Sequence, residues 1–201
     1  MEQRSQEWHD ARKGKMSCSR MGEAIGLIGS RRRLWRELTG REGPKPMNAA
    51  MQDGVDYEQV ALSEYALATG NSVDAAGFIV HRDHDWIGGS PDGVIPGIND
   101  TILGGVEVKC PTKMYESIPD RYMPQIQGLM EVLDVPYWDF VVWTADATRG
   151  WRVFRSTAYW DELYALLCEF WTFIETDSEP PVYERGSKPR ITSAVRIEPL
   201  I

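Results

Sequence analysis

Apolar positions recur with two different spacings along this chain. In the N-terminal third the spacing is helical, and residues 48–69 form the longest such stretch. The apolar positions that recur there are Val55, Leu62, Tyr65 and Ala66. Asn48 is a candidate N-cap for this helix, and Gly70 follows its predicted end. Nearer the N-terminus, Ser5 and Ser19 are candidate N-caps, and Gly40 is placed to end a helix that carries Arg31–Arg36.

After about residue 78 the spacing becomes that of β-strands. Short runs rich in β-branched and aromatic residues lie between Gly, Pro and Asp, which is typical of strands joined by turns. These runs are FIVH (78–81), WIGG (86–89), VEVK (106–109), DFVVWT (139–144) and WRVFR (151–155), the last two forming a predicted hairpin through residues 145–150. Helices are predicted at about 120–133, with Pro124 in the first turn, and at about 160–176. The pattern predicts an α/β fold with a central mixed β-sheet flanked by helices.

Length and composition narrow the class of protein. With 201 residues, 42% of them hydrophobic, the chain can bury the core of one domain. No apolar run approaches the roughly 18 residues of a membrane span, and the first residues lack the apolar core of a signal peptide. The three cysteines (18, 110 and 168) have the spacing of neither a disulfide framework nor a zinc or iron–sulfur site. We therefore expect one soluble, cytoplasmic domain.

Charge is distributed unevenly along the chain. Residues 1–45 contain eleven Lys and Arg against six Asp and Glu, a net charge of +5, so the remainder carries −13 within the total of −8. A basic segment followed by an acidic body suits a protein that binds phosphates in one place and cations in another. The alternative is a solvated helix face around Arg31–Arg36.

A group of three residues carries the candidate chemistry. Asp92 lies in a Pro-Asp-Gly turn, and Glu107 and Lys109 alternate with Val106 and Val108 in a predicted strand. Glu107 and Lys109 therefore share one face, while the valines face the core. Paired carboxylates are ligands that Mg²⁺ prefers, and a neighbouring lysine can orient or deprotonate a water. The alternative is a surface ion pair between Glu107 and Lys109, which would contribute little.

Further motifs surround these residues from residue 8 to residue 143. They are Trp8-x3-Arg12-x-Gly14, Ser17-x-Ser19, Gly54-x3-Glu58-x2-Ala61, Gly89-Ser90-Pro91-Asp92-Gly93, Gly105–Pro111, Tyr122–Gln127 and the strand Asp139–Trp143. In order and content these blocks resemble the lambda-type phage exonucleases, the viral recombinase branch of the PD-(D/E)xK nuclease superfamily. The resemblance implies a restriction-endonuclease-like core. It also implies a basic helical segment that binds DNA ends (1–45), a catalytic core (46–176) and an irregular tail (177–201).

The resemblance also implies roles for individual residues in catalysis. Asp92, Glu107 and the carbonyl of Val108 would bind Mg²⁺, for which Mn²⁺ would substitute, as one or two ions per site. Lys109 would act on the attacking water. Glu58 would be a further acid near the second ion, although a single helix glutamate is more often solvated.

One of two glutamines would also face this site. Gln125 and Gln127 are about 200° apart on a helix, so only one of them can do so. We favour Gln127, which would contact the nucleophile or the DNA.

A second set of residues would hold the 5′-phosphate of the digested strand. Arg12, Ser19 and Ser90 match these positions, and a guanidinium with hydroxyl groups suits a terminal phosphate. A further arginine of the family would correspond to one of Arg31–Arg33, with Arg31 and Arg32 the preferred candidates. The alternative for Arg12 is an ordinary surface charge on a helix.

The function implied is a 5′→3′ exonuclease on linear double-stranded DNA that leaves 3′ single-stranded tails for phage-type recombination. Its partners would be DNA ends, an annealing protein and further copies of the chain in a trimeric ring. One alternative is a PD-(D/E)xK endonuclease of restriction or repair type. Another is a catalytically silent DNA-binding module of the same fold.

Overall fold

A computed structural model describes residues 3, 5–43, 49–183 and 188–201, with the backbone alone at 49–51 and 53–55. The predicted cap Asn48 and the side chain of Val55 lie outside the described residues. The helices are α1 (Gln6–Arg12), α2 (Met21–Ala24), α3 (Arg31–Leu38), α4 (Ala49–Thr69), α5 (Met123–Leu133) and α6 (Thr157–Glu175). The strands are β1 (Met16–Ser17), β2 (Ile79–Val80), β3 (Ile87–Gly89), β4 (Gly93–Pro96), β5 (Ile102–Lys109), β6 (Tyr137–Thr144), β7 (Ala147–Phe154) and β8 (Ile197–Pro199).

The larger sheet has the strand order β4-β5-β6-β7-β8. Strands β5 and β6 are parallel, and the other neighbouring pairs are antiparallel. A parallel pair needs a long crossover connection, and α5 supplies it between β5 and β6. A smaller sheet has the order β1-β3-β2. The predicted α/β class, with a mixed sheet flanked by helices, is confirmed.

Helices cover both faces of the larger sheet around β5. On one face, Val106 and Val108 pack with Leu62 and Tyr65 of α4. On the other, the side chains of β6 pack against α5 and α6, with Trp138 and other large residues fully buried. Residues 104–108 of β5 are therefore shielded from water on both faces, so a polar side chain in this part of the strand needs a specific partner.

Local sequence signals explain several helix ends. Ser5 caps α1 by accepting a hydrogen bond from the backbone N–H of Trp8 at 3.2 Å. Gly40 and Gly70 each have φ +73°, the left-handed conformation in which glycine ends a helix at low cost. The prediction that Ser19 is an N-cap is wrong. Ser19 lies inside a 3₁₀ turn (Cys18–Arg20), and its hydroxyl instead contacts that of Ser17 at 3.1 Å.

Strand boundaries differ from the predictions because glycines that resemble turn signals lie inside strands. β5 begins at Ile102, and a Cβ on its Gly105 would lie 2.3 Å from the ring of Trp138 on β6. The glycine is required there by the close approach of a large side chain. Likewise Gly150 pairs with Val141 inside β7, so the β6–β7 turn is shorter than the predicted 145–150.

Three further strands were not predicted. β1 and β4 are short, with two and four residues, and β8 lies in the tail that was expected to be irregular. β8 forms because the edge of β7 offers backbone groups to pair with. In the part of the chain described, no helix combines the length and the apolar character needed to cross a membrane.

Candidate active site

Pairing of β4 with β5 brings Asp92 to Glu107. The two strands are antiparallel, with Gly93 opposite Val106, and Asp92 immediately precedes β4. The Asp92 carboxylate Oδ2 accepts a hydrogen bond from the backbone N–H of Val108 at 2.8 Å. A residue's N–H and C=O leave a strand on the same side, so the Val108 carbonyl faces this edge too. The three predicted metal-binding groups therefore meet where β4 begins.

Glu107 is the buried centre of this group, with a side chain only 2% exposed. Its Oε1 accepts hydrogen bonds from the ammonium of Lys109 and, at 2.6 Å, from the amide of Gln125. Its Oε2 is buried and has no hydrogen-bond partner among the residues that the structure describes. An unpartnered carboxylate oxygen in the interior is costly, so this atom is poised for a cation or a polar ligand.

The electrostatics of the site reflect this crowding of charge. Burial, followed by the negative charge of Asp92, raises the pKa of Glu107 to about 7. Burial alone would lower the pKa of Lys109, but the charges of Glu107 and Asp92 outweigh it and raise that pKa above its ordinary value. Lys109 is therefore a cation near neutral pH. A divalent ion placed at these carboxylates would favour their charged forms.

The residues present fit a magnesium ion. Within the described ranges, no group of three or more His, Cys, Asp and Glu side chains forms a metal cluster. Mg²⁺ does not need one, because it is commonly held by one or two carboxylates together with waters and substrate phosphate. Asp92, Glu107 with its unpartnered Oε2, and the Val108 carbonyl are oxygen donors of that kind.

Glu58 lies on the α4 side of the same end of β5. The pKa of the Cys110 thiol is raised to about 11 by burial, followed by the charges of Asp92 and Glu58. The two carboxylates therefore approach Cys110 from different elements. Next to Glu58, the exposed ring of Tyr57 stacks on Trp143 of β6 at 5.0 Å between centroids. The structure thus brings all three predicted acids to one end of β5.

The structure brings Gln125, and not Gln127, to the catalytic group. Gln127 is 1% exposed, and its amide donates to the Phe154 carbonyl at 3.0 Å and accepts from the Ser156 N–H at 2.9 Å. It therefore joins α5 to the connection between β7 and α6. The sequence analysis favoured Gln127 for this position, but the helix turns its side chain away from Glu107 and places Gln125 there.

A separate pocket of about 390 Å³ has charged residues of both signs in its lining. They are Arg12, Lys13, Lys15, Arg20, Glu37 and Glu42, beside Ser17. The guanidinium of Arg12 lies 4.0 Å from the ring centroid of Trp8, and the Trp8 indole donates to Ser90 Oγ at 2.7 Å. Burial, followed by the charge of Arg20, lowers the pKa of Arg12.

Of the predicted phosphate-binding residues Arg12, Ser19 and Ser90, Arg12 lines this pocket. Ser19 lies behind the lining residue Ser17, and Ser90 contacts Trp8, whose ring packs on Arg12. Within the described part of the chain, Arg12 has no carboxylate partner within salt-bridge distance, so its charge is available to an anion.

Arg31 and Arg32 are not brought to this pocket. Arg31 is 5% exposed, donates to the Ala24 carbonyl at 2.8 Å and pairs with Glu169 of α6. Arg32 donates to the Pro180 carbonyl at 3.0 Å. Both guanidiniums are used to pack α3 against neighbouring segments. Arg20, which the sequence reading did not single out although it follows Ser19 directly, lies at the pocket instead.

Comparison with known proteins places this arrangement in a family. The profile of the YqaJ-like viral recombinase domain matches residues 7–136, which is more than half of the chain. The chain belongs to the YqaJ-like viral recombinase family. The matched range contains all but the first residue of α1, the Arg12 pocket, Asp92, Glu107, Lys109 and both glutamines of α5. A comparison with curated protein sequences finds no significant match.

Solved structures agree with this YqaJ-like assignment. The chain is 28% identical to an alkaline exonuclease, LHK-Exo, from Laribacter hongkongensis, with TM-score 0.76, covering 86% of this chain and 94% of that one. LHK-Exo in complex with dAMP gives 27% identity and TM-score 0.77, with the same coverage. A phage-related exonuclease from Haemophilus somnus shares the fold at 16% identity and TM-score 0.62, covering 81% and 94%.

The resemblance to lambda-type phage exonucleases and the restriction-endonuclease-like core are therefore confirmed. This YqaJ-like protein is accordingly a nuclease of the exonuclease type.

Proposed function

We propose that this YqaJ-like protein is a Mg²⁺-dependent 5′→3′ exonuclease that digests linear double-stranded DNA and leaves 3′ single-stranded tails for recombination. The observation that carries the proposal is the buried, unpartnered Oε2 of Glu107 beside Asp92 and Lys109. It is supported by the family and by the likeness to LHK-Exo, which is named an alkaline exonuclease. The proposed setting is the cytoplasm of a bacterium or a phage-infected host cell.

Each residue at the end of β5 has a proposed role. Asp92, Glu107 and the Val108 carbonyl hold the metal, and Glu58 acts on a second ion or its waters. Bound Mg²⁺ supplies charge neutralisation at the phosphate and a more acidic water. Lys109, as an ammonium, donates to the attacking water or the developing negative charge, and Gln125 holds the Glu107 carboxylate in place. Mn²⁺ is expected to replace Mg²⁺.

The Arg12 pocket is proposed to hold the 5′-phosphate. Arg12 has no carboxylate partner among the described residues, and the hydroxyls of Ser17 and Ser19 lie close by. Four basic residues line the pocket against two acidic ones, Glu37 and Glu42, which leaves a net positive charge for a phosphate dianion. We propose that Arg20 is the further arginine that contacts the 5′-phosphate, a role that the sequence analysis gave to Arg31 or Arg32. Its guanidinium is oriented by Glu23 at 3.0 Å and Glu37 at 2.8 Å, which leaves part of its donor set for a ligand.

Assembly and partners are proposed on the same basis. We expect a homo-oligomer, a trimeric ring around DNA, that passes its single-stranded product to an annealing protein. Encirclement would make processive digestion compatible with a net charge of −8, since topology rather than basic contacts would retain the DNA. Light scattering coupled to size-exclusion chromatography measures the oligomer directly.

The deciding experiment compares four substrates with and without Mg²⁺: linear duplexes with 5′-phosphate or 5′-hydroxyl ends, a nicked circle and a covalently closed circle. We expect Mg²⁺-dependent loss of linear DNA, fastest with 5′-phosphate, and intact closed circles. Rapid cutting of closed circles would instead favour an endonuclease. The same Mg²⁺-dependent digestion by a Glu107→Gln variant, for which we expect a loss of at least about 100-fold, would falsify metal catalysis at this site.

Arg12→Ala tests the 5′-phosphate pocket. We expect it to remove the preference for 5′-phosphorylated over 5′-hydroxyl ends while leaving the Mg²⁺ requirement unchanged. Arg36→Ala is the matched control, because Arg36 lies in the same basic segment and pairs with Glu179 at 2.5 Å. An unchanged end preference in Arg12→Ala, or an equal loss in Arg36→Ala, contradicts the assignment.

A further inference from the structure

Most described arginines of this acidic chain have a carboxylate within 4.0 Å. Those with such a partner are Arg20, Arg31, Arg32, Arg33, Arg36, Arg41, Arg82, Arg152, Arg155 and Arg196. Within the described ranges, Arg12, Arg121, Arg149 and Arg190 have none, although the chain carries 30 Asp and Glu against 22 Lys and Arg. Arg121 and Arg149 are exposed and lie close to each other. An exposed guanidinium without a carboxylate in such a protein retains its charge for an external anion.

These two arginines meet at Tyr115. Arg121 Nη2 donates to the Tyr115 hydroxyl at 3.3 Å and to the Tyr122 hydroxyl at 3.4 Å. Arg149 Nη1 donates to the Tyr115 carbonyl at 3.2 Å. The two tyrosine hydroxyls are 3.3 Å apart, and their rings stack with centroids 6.2 Å apart. We call Tyr115, Tyr122, Arg121 and Arg149 the Tyr115 surface.

The Tyr115 surface adjoins the catalytic group. Lys109 Nζ lies 5.3 Å from the ring centroid of Tyr122. In the sheet, Lys109 is opposite Val142, and Val142 is opposite Arg149. Residues in such a row share one face, and neighbouring strands are about 4.8 Å apart, so the Cα atoms of Lys109 and Arg149 are about 10 Å apart. A polynucleotide bound at Glu107 and Lys109 would pass within reach of both guanidiniums.

The hydrogen bonds on this surface orient the arginines without neutralising them. A guanidinium has five N–H donors, and the bonds described use few of them on each residue. The partners are hydroxyl and carbonyl oxygens, which carry no formal charge. Aromatic rings beside arginines form a combination that binds single strands, because phosphates contact the cations while sugars or bases pack on the rings.

We propose that the Tyr115 surface binds the DNA strand next to the scissile phosphate. Arg121 and Arg149 contact phosphates, and the exposed part of Tyr115 packs against a sugar or base. The contact is independent of base sequence, and it lies apart from the Arg12 pocket. This inference rests on the proposed nuclease function and adds a strand-binding contact to it.

The experiment uses the Arg121→Ala/Arg149→Ala double variant of the full chain. Digestion of a 5′-phosphorylated linear duplex gives kcat and KM, and DNA binding in EDTA is followed between about 50 and 200 mM salt. We expect KM to rise about tenfold, with kcat changed less than about twofold. The slope of log affinity against log salt should become shallower by about 0.7–0.9 for each phosphate that the variant no longer binds.

The matched control is Arg82→Ala/Arg196→Ala, which removes the same charge from two exposed, carboxylate-paired arginines. Arg82 pairs with Asp134 at the far end of α5, and Arg196 pairs with Glu198 beside the distant end of β7. An equal change in this control, or a wild-type KM and salt slope in the test variant, overturns the proposal. A lower kcat and melting temperature at unchanged KM also overturns it, since the arginines would then only support the loop around Tyr115.

Failure of the proposed function has a different signature. A wild-type protein that does not degrade DNA with Mg²⁺ contradicts the nuclease assignment, while the salt slope in EDTA still tests the Tyr115 surface. An Arg121→Lys/Arg149→Lys variant that recovers most of the slope supports phosphate binding, because lysine keeps the charge but not the geometry of the guanidinium.

Discussion

Gln125 and Gln127 are separated by one residue on α5, and their side chains leave the helix in different directions. Gln125 donates to the catalytic carboxylate of Glu107, whereas Gln127 joins two backbone groups after β7. At the level of residue type the two are identical. Their different surroundings predict that one substitution affects the reaction and the other affects folding.

We expect Gln125→Ala to lower kcat by about 10–100-fold, because Glu107 loses a group that orients it. Gln127→Ala should instead lower the free energy of unfolding by about 1–3 kcal/mol, since the Phe154 carbonyl and the Ser156 N–H lose their partner. Steady-state kinetics and urea denaturation of both variants measure the two effects. The assignment is wrong if Gln127→Ala, once folded, shows the larger fall in kcat.

At the scale of elements, β5 carries Glu107 and Lys109 of the candidate active site, and its packing against β6 depends on Gly105. A Cβ at position 105 would lie 2.3 Å from the ring of Trp138, which is fully buried and cannot move aside. Two residues further along, Glu107 occupies the centre of the site. Packing of β5 against β6 and the position of the carboxylate are therefore linked.

We expect Gly105→Ala to lower the free energy of unfolding by about 1–3 kcal/mol through overpacking, and to reduce activity because β5 shifts. Gly43→Ala is the control, since a Cβ there meets no atom of the described residues within 4 Å. Urea denaturation at neutral pH checks the prediction. If the two variants have equal free energies of unfolding, then β5 and β6 can move apart at position 105 with little loss of stability.

A buried polar network attaches α4 to the sheet. The Tyr65 hydroxyl donates to Asp139 Oδ2 at 2.6 Å, and Arg152 binds the same carboxylate with two hydrogen bonds of 2.8 Å. Glu58 is seven residues before Tyr65, two helical turns away on the same face of α4. The network therefore also sets the position of Glu58.

Tyr65→Phe removes one hydrogen bond to a buried charge and should lower the free energy of unfolding by about 1.5–3 kcal/mol. Tyr57→Phe, on the same helix but exposed and stacked on Trp143, should change it by less than about 0.5 kcal/mol. Thermal and urea unfolding of the two variants measure these changes in the free energy of unfolding. Similar losses in both variants contradict the network as an anchor.

At the scale of the whole molecule, the tail completes the fold. β8 pairs with β7, and the Gly150 N–H donates to the Ile201 carbonyl at 3.0 Å. On the other side, Glu162 of α6 accepts hydrogen bonds from the backbone N–H groups of Thr192 at 2.8 Å and Ser193 at 3.0 Å. One glutamate thus holds the segment that leads to the last strand.

Attachment of the tail should depend on pH. The hydrogen bond from the Ser193 hydroxyl, followed by that from the Thr192 N–H, lowers the pKa of Glu162 below its ordinary value of 4.5. A lowered folded-state pKa means that the stabilisation is present above about pH 4.5 and is lost as pH falls through the lowered value.

Hydrogen exchange of residues 188–201, corrected for intrinsic rates, should increase below that pH. At pH 7, Glu162→Ala should produce the same increase, while Glu175→Ala on the same helix should not. If the exchange of residues 188–201 changes neither in acid nor in Glu162→Ala, then Glu162 does not hold the tail in place.

The structure also changes the interpretation of the charge on the basic N-terminal segment, residues 1–45. Its net charge of +5 suggests a surface that attracts phosphate. In the structure, the arginines of α3 pair with carboxylates from other segments, such as Glu169 and Glu179. Neither phosphate binding nor the solvated-face alternative describes α3, because Arg31 is buried and its neighbours pair with carboxylates of packed segments. Arg12 is an arginine of the segment left without a carboxylate among the described residues.

Residue type and local spacing were sufficient for much of this protein. The helical period of residues 48–69, the glycines that end helices, and the alternation of Glu107 and Lys109 with two valines follow from backbone geometry within a few residues. The motifs around Asp92, Glu107, Lys109 and Arg12 follow from the same short range. These signals predicted the fold class and the candidate catalytic group, because each depends on interactions within one element or turn.

Only the tertiary structure decided which side chains meet. That Gln125 rather than Gln127 reaches Glu107, that Arg31 and Arg32 are used in packing, and that Arg149 lies in the row of Lys109 all depend on contacts between distant segments. Gly105 and Gly150 were misinterpreted for the same reason, since the side chains that require them, Trp138 and Ile201, come from other strands and from the end of the chain. Burial and pairing across the sheet determine these outcomes, and neither is a property of a local stretch of sequence.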